Sequence, residues 1–285
     1  MFLGISSAFT WPLHQLDVNN AFLHGYLDEE IYMQPPKGYS VQPSHVCKLL
    51  KSLYGLKQAS RQWNQEFTSK LLSFGFSQSA HDRCFFVKGS GDDFIAVLVY
   101  VDDVLVTSPS SILIAEVKAY LDKLFTMKDL GLASYFLGLQ IARSSGTSLT
   151  QAKYIQDILL DIGLQHAKAA TTPLPQGTKL CATEGVALSD PKLYSHWQVA
   201  LHIVRFLKGT SAIGLFFPSS KSLQLQAYCD ADWASCLDSR RSVTCFCVFL
   251  GDALISQKTR KQATVSRSFA EAEYWSMGAT VCKLQ

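Results

Sequence analysis

The hydrophobic and polar positions along the chain predict alternating strands and helices. Residues 13–18 have a short strand pattern, which a polar bend at Asn19-Asn20 ends. Between residues 56 and 74, apolar side chains recur every three or four positions, which predicts an amphipathic helix ended by Gly75. The apolar positions of this helix are Leu56, Ala59, Trp63, Phe67, Leu71 and Phe74.

A hairpin is predicted in the middle of the first half. Strand-like runs at 84–88 and 94–100 are separated by the turn-rich segment 89–93, and the second run continues past Asp102-Asp103 into another apolar stretch. A helix near 113–125, a strand near 135–142 and a helix near 153–162 follow.

The second half begins after a segment rich in Thr, Pro, Gly and Lys at 167–191, which has the composition of a linker. A short amphipathic helix at 198–208 leads to an alternating strand at 223–228, a hairpin around Gly251-Asp252 and a helix from about Phe269. The chain is therefore expected to be α+β, with two packed parts.

Composition restricts the classes of protein only loosely. With 285 residues and 48% hydrophobic side chains the chain is long enough and apolar enough for packed cores, and its net charge of +3 leaves any contact with a polyanion to local patches. Eight scattered cysteines without a C-x-x-C pair indicate reduced, buried thiols. Neither a signal peptide nor a membrane span is expected, so we predict an intracellular protein, in a cytoplasmic particle or the nucleus, without a membrane partner.

Adjacent acids interrupt the apolar run 94–107 at Asp102 and Asp103, and Asp17 ends the strand 13–18. Asp is common in turns, so a hairpin tip alone would explain the pair. Three acids brought together repel by about 4 kcal/mol per pair at ~4 Å and an effective dielectric of ~20. A divalent cation such as Mg2+ (or Mn2+) removes that repulsion, and two such ions can act in phosphoryl transfer.

The second half carries its own acids. Asp230 follows the strand 223–228, and a turn-forming role is the alternative for it. At the final helix, Ser268 and Glu271 have capping-box spacing, which gives Glu271 a structural role, whereas Glu273 projects from another face.

Three motifs give the chain a resemblance to reverse transcriptases of copia-type retrotransposon Pol polyproteins. The segment LDVNNAFLHGYLDEEIYMQPPKGY resembles their motif A, LYGLKQASRQW resembles motif B, and YVDD is similar to the signature box. The resemblance implies a palm made of an antiparallel sheet with packed helices. It also implies that Asp17 and Asp102 are catalytic metal ligands, with Asp103 as the third acid.

The same resemblance implies roles for neighbouring residues. Phe22 falls at the aromatic gate that excludes a ribose 2′-hydroxyl, and the peptide groups of Asn20 and Ala21 would lie against the triphosphate. Gly55 and Lys57 would flank the incoming base and template. Tyr100 would pack against the primer terminus. Simple core packing is the alternative for Phe22 and Tyr100, and a solvated helix charge is the alternative for Lys57.

The segments AYCDADWASCLDSRRSV and AEAEY resemble an RNase H domain. The resemblance implies a truncated RNase H-like α/β domain in which Asp230 and Glu273 are the first two of four metal-binding acids. The others would lie beyond Gln285, so the nuclease is expected to be incomplete. Lys258, Arg260 and Lys261 would contact the phosphates of an RNA–DNA hybrid, with a solvated surface as the alternative.

The predicted division has five parts. They are a palm with partial fingers at 1–107, the palm end and a thumb-like region at 108–166, a linker with an internal deletion at 167–197, a connection helix at 198–220, and the truncated RNase H-like domain at 221–285.

Departures from the family pattern suggest an eroded copy. The chain lacks the region that precedes motif A and skips a stretch between Tyr194 and Ser195. Single positions also differ: Ser60, Cys245, Gln257 and Phe269. Cysteine would be strained if position 245 needs positive φ, and Gln257 would bury an amide.

We therefore expect an RNA-directed DNA polymerase with two-metal nucleotidyl transfer, impaired as this fragment, whose partners are an RNA template, a DNA primer and deoxynucleoside triphosphates. A non-catalytic retrotransposon remnant that at most binds nucleic acid is the alternative, and a stand-alone metal-dependent phosphodiesterase is a third reading. The sequence does not indicate the oligomeric state.

Overall fold

The computed structural model describes residues 1–39, 42, 45–175, 195–220 and 222–284, with the side chains of 195–198 excepted. It is a mixture of helices and antiparallel sheets, as the sequence predicts. Two compact units are present. The central unit is Trp11–Ala133. The flanking unit combines Met1–Thr10, which contains helix α1 (Phe2–Ala8), with Ser134–Gln285.

The central unit is built on a six-stranded antiparallel sheet of order β4-β5-β6-β7-β1-β8, with β2 and β3 as a separate hairpin and a 3-10 helix at Ala21–His24. Its strands and helices are β1 (Leu13–Val18), β2 (Tyr26–Met33), β3 (Cys47–Lys51), α2 (Ala59–Ser73), β4 (Ser77–Gln78), β5 (Phe85–Lys88), β6 (Ile95–Tyr100), β7 (Asp103–Thr107), α3 (Ser111–Phe125) and β8 (Met127–Leu132).

One hydrophobic core joins the two helices of the central unit to its sheet. Alternate strand residues such as Leu16, Val104 and Val106 belong to the same buried cluster as the apolar stripes of α2 and α3. Three aromatic rings sit at its centre, with centroids 5.1–5.2 Å apart, in the packed geometries that aromatic side chains prefer. They are Trp63, Phe67 and Phe125.

Helix α2 begins three residues later than its apolar pattern predicts. The amide of Leu56 donates to the carbonyl of Leu53 (3.3 Å), and Gly55 has φ +95° between them. A second turn follows, in which the amide of Ala59 donates to the carbonyl of Leu56 (3.1 Å), so residues 56–58 precede α2 rather than form its first turn. Gly75, with φ +95°, ends the helix as predicted.

A partly buried polar cluster ties strand β8 to its neighbours. The Lys118 ammonium donates to both carboxylate oxygens of Asp129 (2.8 and 2.9 Å) and to Nδ1 of His14 (2.8 Å). Burial, and then the charge of Lys118, lower the pKa of His14, so the neutral ring accepts this bond. The cluster links α3, β1 and β8, and β8 is a strand that the sequence pattern missed.

The flanking unit contains a sheet of order β12-β11-β10-β9 and a second sheet of order β13-β14-β15. Its elements are β9 (Tyr135–Phe136), β10 (Leu139–Arg143), β11 (Gly146–Thr150), α4 (Ala152–Asp161), α5 (Ser195–Gly209), β12 (Leu215–Pro218), β13 (Leu225–Asp232), β14 (Val243–Leu250), β15 (Ala253–Lys261) and α6 (Phe269–Leu284). Helix α1 joins this unit: Ser7 Oγ donates to the carbonyl of Phe217 (2.6 Å).

A buried amide network fixes α6 on the second sheet. The Gln262 side chain donates to Thr244 Oγ1 and to the carbonyl of Ala272, and accepts from Ser266 Oγ, each at 2.9 Å. A fully bonded buried amide holds its neighbours in one arrangement. The predicted cap is confirmed, because the amide of Glu271 donates to Ser268 Oγ (3.2 Å).

Several sequence predictions need correction. The strand predicted at 135–142 is split into β9 and β10 by Leu137 and Gly138, both with positive φ. The expected costs at two eroded positions are absent. Cys245 lies within β14 without positive φ, so its backbone is not strained, and Gln257 is exposed, so it does not bury an amide.

Three further expectations concern the linker, the cysteines and membrane spans. Residues 176–194 of the predicted linker, and with them the expected deletion point at Tyr194, lie outside the part of the chain that is described. The cysteines within that part are free, as expected, but none is fully buried, because six are half-buried and Cys282 is exposed. No helix there has the length and apolar character needed to cross a membrane.

Adjacent leucines of α2 test the core assignment. Leu71 is fully buried, whereas Leu72 is 47% exposed. We expect Leu71→Ala to lower the free energy of unfolding by about 2–5 kcal/mol because it leaves a cavity, and Leu72→Ala to lower it by less than about 1 kcal/mol. Urea unfolding followed by tryptophan fluorescence measures both, and equal losses would contradict the assignment.

Candidate active site

Three acids of the central unit meet at one end of its sheet. Strands β6 and β7 form a hairpin whose last pair is Tyr100 and Asp103, so Val101 and Asp102 make its two-residue tip. The register of β1 with β7 places Asp17 directly opposite Asp103. The structure therefore brings together the three acids that the sequence singled out, and the hairpin-tip reading of the Asp pair is correct as a description of the backbone.

Two hydrogen bonds from different elements hold the hairpin tip. The indole Nε1 of buried Trp63 donates to the carbonyl of Val101 (2.6 Å), and the amide of Val18 donates to the carbonyl of Asp102 (2.8 Å). Val101 has φ +55°, an unfavourable conformation for a β-branched residue. These bonds stabilise a tip that the local backbone preference alone would not form.

The electrostatics of the tip show that the acids interact. Burial raises the pKa of Asp103, and the charges of Asp102 and Asp17 raise it further. The Gln15 amide opposes this shift by donating from Nε2 to Asp103 Oδ1 (2.9 Å). Like charges directly opposite one another on paired strands are destabilising, so this arrangement has a cost in the absence of a cation.

The donor chemistry of the acids suits a hard divalent cation. Carboxylate oxygens are the ligands that Mg2+ prefers, and a cation would offset the mutual repulsion that raises the pKa of Asp103. Within the described ranges, however, no group of three or more His, Cys, Asp or Glu side chains is arranged to hold a metal ion. Asp17, Asp102 and Asp103 have the chemistry of a metal site but not its closed geometry.

The segment after β1 turns sharply beside the acids. Asn20 has φ +53° and its carbonyl accepts from the amide of Leu23 (2.8 Å), which starts the 3-10 helix. Ala21 is fully buried, and Phe22 is partly buried against the core. The Phe22 ring also contacts Tyr54, with centroids 4.8 Å apart. Core packing thus accounts for part of the Phe22 side chain but not all of it.

The motif B residues lie in the turns before α2. Gly55 is exposed with φ +95°, and Lys57 is exposed in the segment that precedes the helix. Lys57 is therefore a solvated charge, as the alternative interpretation holds, but it lies before the helix and not in it.

Tyr100 and two residues that the sequence did not single out border the acids. The Tyr100 side chain is 54% exposed, so core packing does not account for it. Gln15 binds Asp103, and exposed Lys128 of β8 lies opposite Asp17 in the strand register. The sequence alone could not reveal these two residues. Gln15 meets Asp103 through the β1–β7 register, and Lys128 meets Asp17 through the bulged pairing of β8 with β1.

In the flanking unit, hydrogen bonds join the segments that carry Asp230 and Glu273. The amide of Ala231 donates to Glu273 Oε1 (3.3 Å), and Ser276 Oγ donates to the carbonyl of Asp230 (2.8 Å). One end of β13 and the first turns of α6 are thereby joined.

The basic residues of β15 line a groove. Lys258, Arg260 and Lys261 are exposed and border a cavity of about 660 Å³, with Trp275 and Lys283 across from them on α6. Lys261 also donates to Cys236 Sγ (3.3 Å), which together with Ser239 lowers the pKa of that thiol to about 7. Exposed cations beside an aromatic ring suit a phosphate backbone, and equally suit a solvated surface.

Known proteins are similar to this chain over most of its length. A family model described as reverse transcriptase (RNA-dependent DNA polymerase) matches residues 1–176. The chain is 37% identical, over an alignment of 319 positions, to the retrovirus-related Pol polyprotein from transposon RE1 of Arabidopsis thaliana. This alignment covers 99% of the chain and 22% of the relative.

Two further relatives are similar to the chain. The corresponding polyprotein from transposon RE2 of Arabidopsis thaliana is 36% identical over 99% of the chain, and that from transposon TNT 1-94 of Nicotiana tabacum is 35% identical over 95% of it. The chain spans less than a quarter of the length of each of these three relatives.

The raised pKa of Asp103 predicts a pH dependence of stability. Because the folded state raises this pKa, the protonated form of Asp103 contributes fully to stability below the ordinary carboxyl pKa. That contribution is lost as the pH rises through the raised folded-state pKa. Asp103→Asn carries no charge and can still accept from Gln15. We expect this variant to be more stable than the wild type at pH 7 in chelator, with the difference shrinking in acid.

Urea midpoints at neutral and acid pH measure this difference. Asp93→Asn, at a second, exposed Asp-Asp turn, is the matched control and should change the midpoint little. A neutral-pH midpoint for Asp103→Asn at or below that of the wild type would contradict the repulsion at the tip.

Proposed function

The chain belongs to the reverse transcriptase (RNA-dependent DNA polymerase) family of retrotransposon Pol polyproteins, and from this premise we propose that its central unit is a nucleotidyl-transfer site. The observation that carries the proposal is the meeting of Asp17, Asp102 and Asp103 at a hairpin tip held from two sides. Stability alone does not explain a strained turn that places carboxylates opposite one another on paired strands.

In the proposed reaction the primer 3′-hydroxyl attacks the α-phosphorus of a deoxynucleoside triphosphate. A phosphodiester O–P bond forms, the bond to pyrophosphate breaks, and the hydroxyl proton passes to solvent. Asp17 and Asp102 would hold divalent cations, Mg2+ or Mn2+, with Asp103 completing the acidic surface. Such cations would supply stabilisation of the attacking and leaving oxygens.

The chain's own residues have positioning tasks in this proposal. Trp63 and Val18 fix the tip, so Asp102 is presented without a conformational search. The left-handed turn at Asn20 directs peptide groups of Asn20 and Ala21 toward the triphosphate, and Phe22 excludes a ribose 2′-hydroxyl.

The remaining proposed contacts lie around this centre. Gly55 and Lys57 would flank the incoming base and the RNA template, and exposed Tyr100 would contact the DNA primer terminus. We also propose the five-part division of the chain, from the palm with partial fingers to the truncated RNase H-like domain.

For the flanking unit we propose an RNase H-like origin. Its support is the hydrogen bond that Glu273 accepts from the amide of Ala231, next to Asp230 near the end of β13. An RNA–DNA hybrid is the partner that Lys258, Arg260 and Lys261 would contact. These two acids alone do not make a four-acid metal site, so catalysis there is not proposed for this chain.

A second candidate function is a non-catalytic remnant that at most binds nucleic acid. It is favoured by the acids of the tip, which in the described part of the chain do not form a closed ligand set for a metal. It predicts nucleic-acid binding without synthesis.

Primer extension separates the two candidates. On a poly(rA) template with an oligo(dT) primer and Mg2+ or Mn2+, we expect the wild-type chain to add dTMP. Asp102→Asn should reduce the rate by about a hundredfold or more, because a ligand of the proposed cations is lost. Denaturing gels of labelled primer measure the rate.

Asp93→Asn is again the control, because it removes a charge from an exposed Asp-Asp turn at the opposite end of β6 from the hairpin tip, and extension should persist in it. Template binding by the wild type without any extension would favour the remnant.

A further inference from the structure

An aromatic contact joins motif A to motif B beside the acids. The rings of Phe22 and Tyr54 have centroids 4.8 Å apart and are tilted by 51°. Contacts of this kind stabilise a pair by about 0.5–1.5 kcal/mol beyond the area they bury. Phe22 also packs against the core, whereas Tyr54 is 56% exposed. Tyr54 thus covers the side of Phe22 that the core leaves open.

Backbone pairing sets the meeting of the two rings. The amide of Ser52 donates to the carbonyl of Gly25 (2.8 Å), next to the pairing of Tyr26 with Lys51. Gly25 lies so close to α2 that a Cβ atom there would be 2.8 Å from the backbone nitrogen of Trp63. The two segments are therefore held together where they leave the β2–β3 hairpin, which places residue 54 beside residue 22.

The turn before α2 presents the Tyr54 ring. Leu53 and Leu56 close this turn with a backbone hydrogen bond, and Gly55 supplies the positive φ that its third position needs. Tyr54 is the second residue of the turn, where its side chain points away from the backbone bond and its ring reaches Phe22. A glycine-dependent turn holds this ring at a fixed place.

We propose that Tyr54 is a positioning residue for sugar discrimination: its ring holds Phe22 where that side chain would meet a ribose 2′-hydroxyl. The inference rests on the proposed function, in which Phe22 is the gate. A ring that rejects one added oxygen atom has to be held within a fraction of an ångström, and displacement by 1 Å can cost about a hundredfold. Contact from the core on one side alone leaves Phe22 free to tilt.

The test is the ratio of kcat/KM for dTTP to that for UTP in single-nucleotide extension. We expect Tyr54→Ala to lower this ratio by about tenfold, mainly through faster use of UTP. Tyr54→Phe keeps the ring and should restore the discrimination. Tyr32→Ala removes a tyrosine exposed to a similar degree, 54%, at the other end of the hairpin, and should leave the ratio unchanged.

A double-mutant cycle shows whether Tyr54 acts through Phe22. If it does, Tyr54→Ala has no further effect on the ratio in a Phe22→Ala background. Equal effects in both backgrounds would overturn the inference, and so would a loss of discrimination in Tyr54→Phe, which would assign the role to the hydroxyl.

The outcomes also separate the inference from the function on which it rests. An unchanged ratio in Tyr54→Ala, with a lowered ratio in Phe22→Ala, overturns the inference and leaves the polymerase in place. A wild-type chain that adds neither nucleotide overturns the proposed function and the inference with it. Thermal unfolding of each variant shows whether a lost activity reflects a lost fold.

Discussion

The central unit depends on one constraint, which is that three carboxylates stand at the end of a sheet that packs on an apolar core. Asp17 and Asp103 face each other across paired strands, and Asp102 occupies the hairpin tip beside them. Hydrogen bonds to the backbone of the tip, and the Gln15 amide on the Asp103 carboxylate, hold these acids in place despite their repulsion. A surface selected for stability alone would place neutral turn residues here.

Those backbone bonds connect the core to the candidate chemistry. Trp63 packs on Phe67 and Phe125 in the centre of the core and donates its indole N–H to Val101. The same helix leaves no room for a side chain at Gly25, which sets the place of the 3-10 helix and its Phe22 ring. The packed helix–sheet core thereby fixes the positions of both the acids and the Phe22 ring, without any contact between those two groups being needed.

Sequence patterns predicted local features well and pairings poorly. The strand at Leu13–Val18, the hairpin that carries Asp102 and the capped helix at Phe269 follow from periodicity and turn chemistry, and the motifs identified the acids. Strand β8 was missed because its residues alternate weakly, and Gln15 and Tyr54 were missed because their partners lie 88 and 32 positions away in the sequence. Contacts set by register and by a left-handed turn have no periodic signal.

The proposed chemistry requires a cation at the hairpin tip, and paramagnetic broadening by Mn2+ locates such a cation directly. In amide NMR spectra of the chain, substoichiometric Mn2+ should first broaden the resonances of Val18, Val101 and Asp103, and Asp102→Asn should weaken that effect. Broadening confined to the surroundings of Asp230 and Glu273, or spread evenly over exposed acids, would contradict the assignment of the tip as the metal-binding centre.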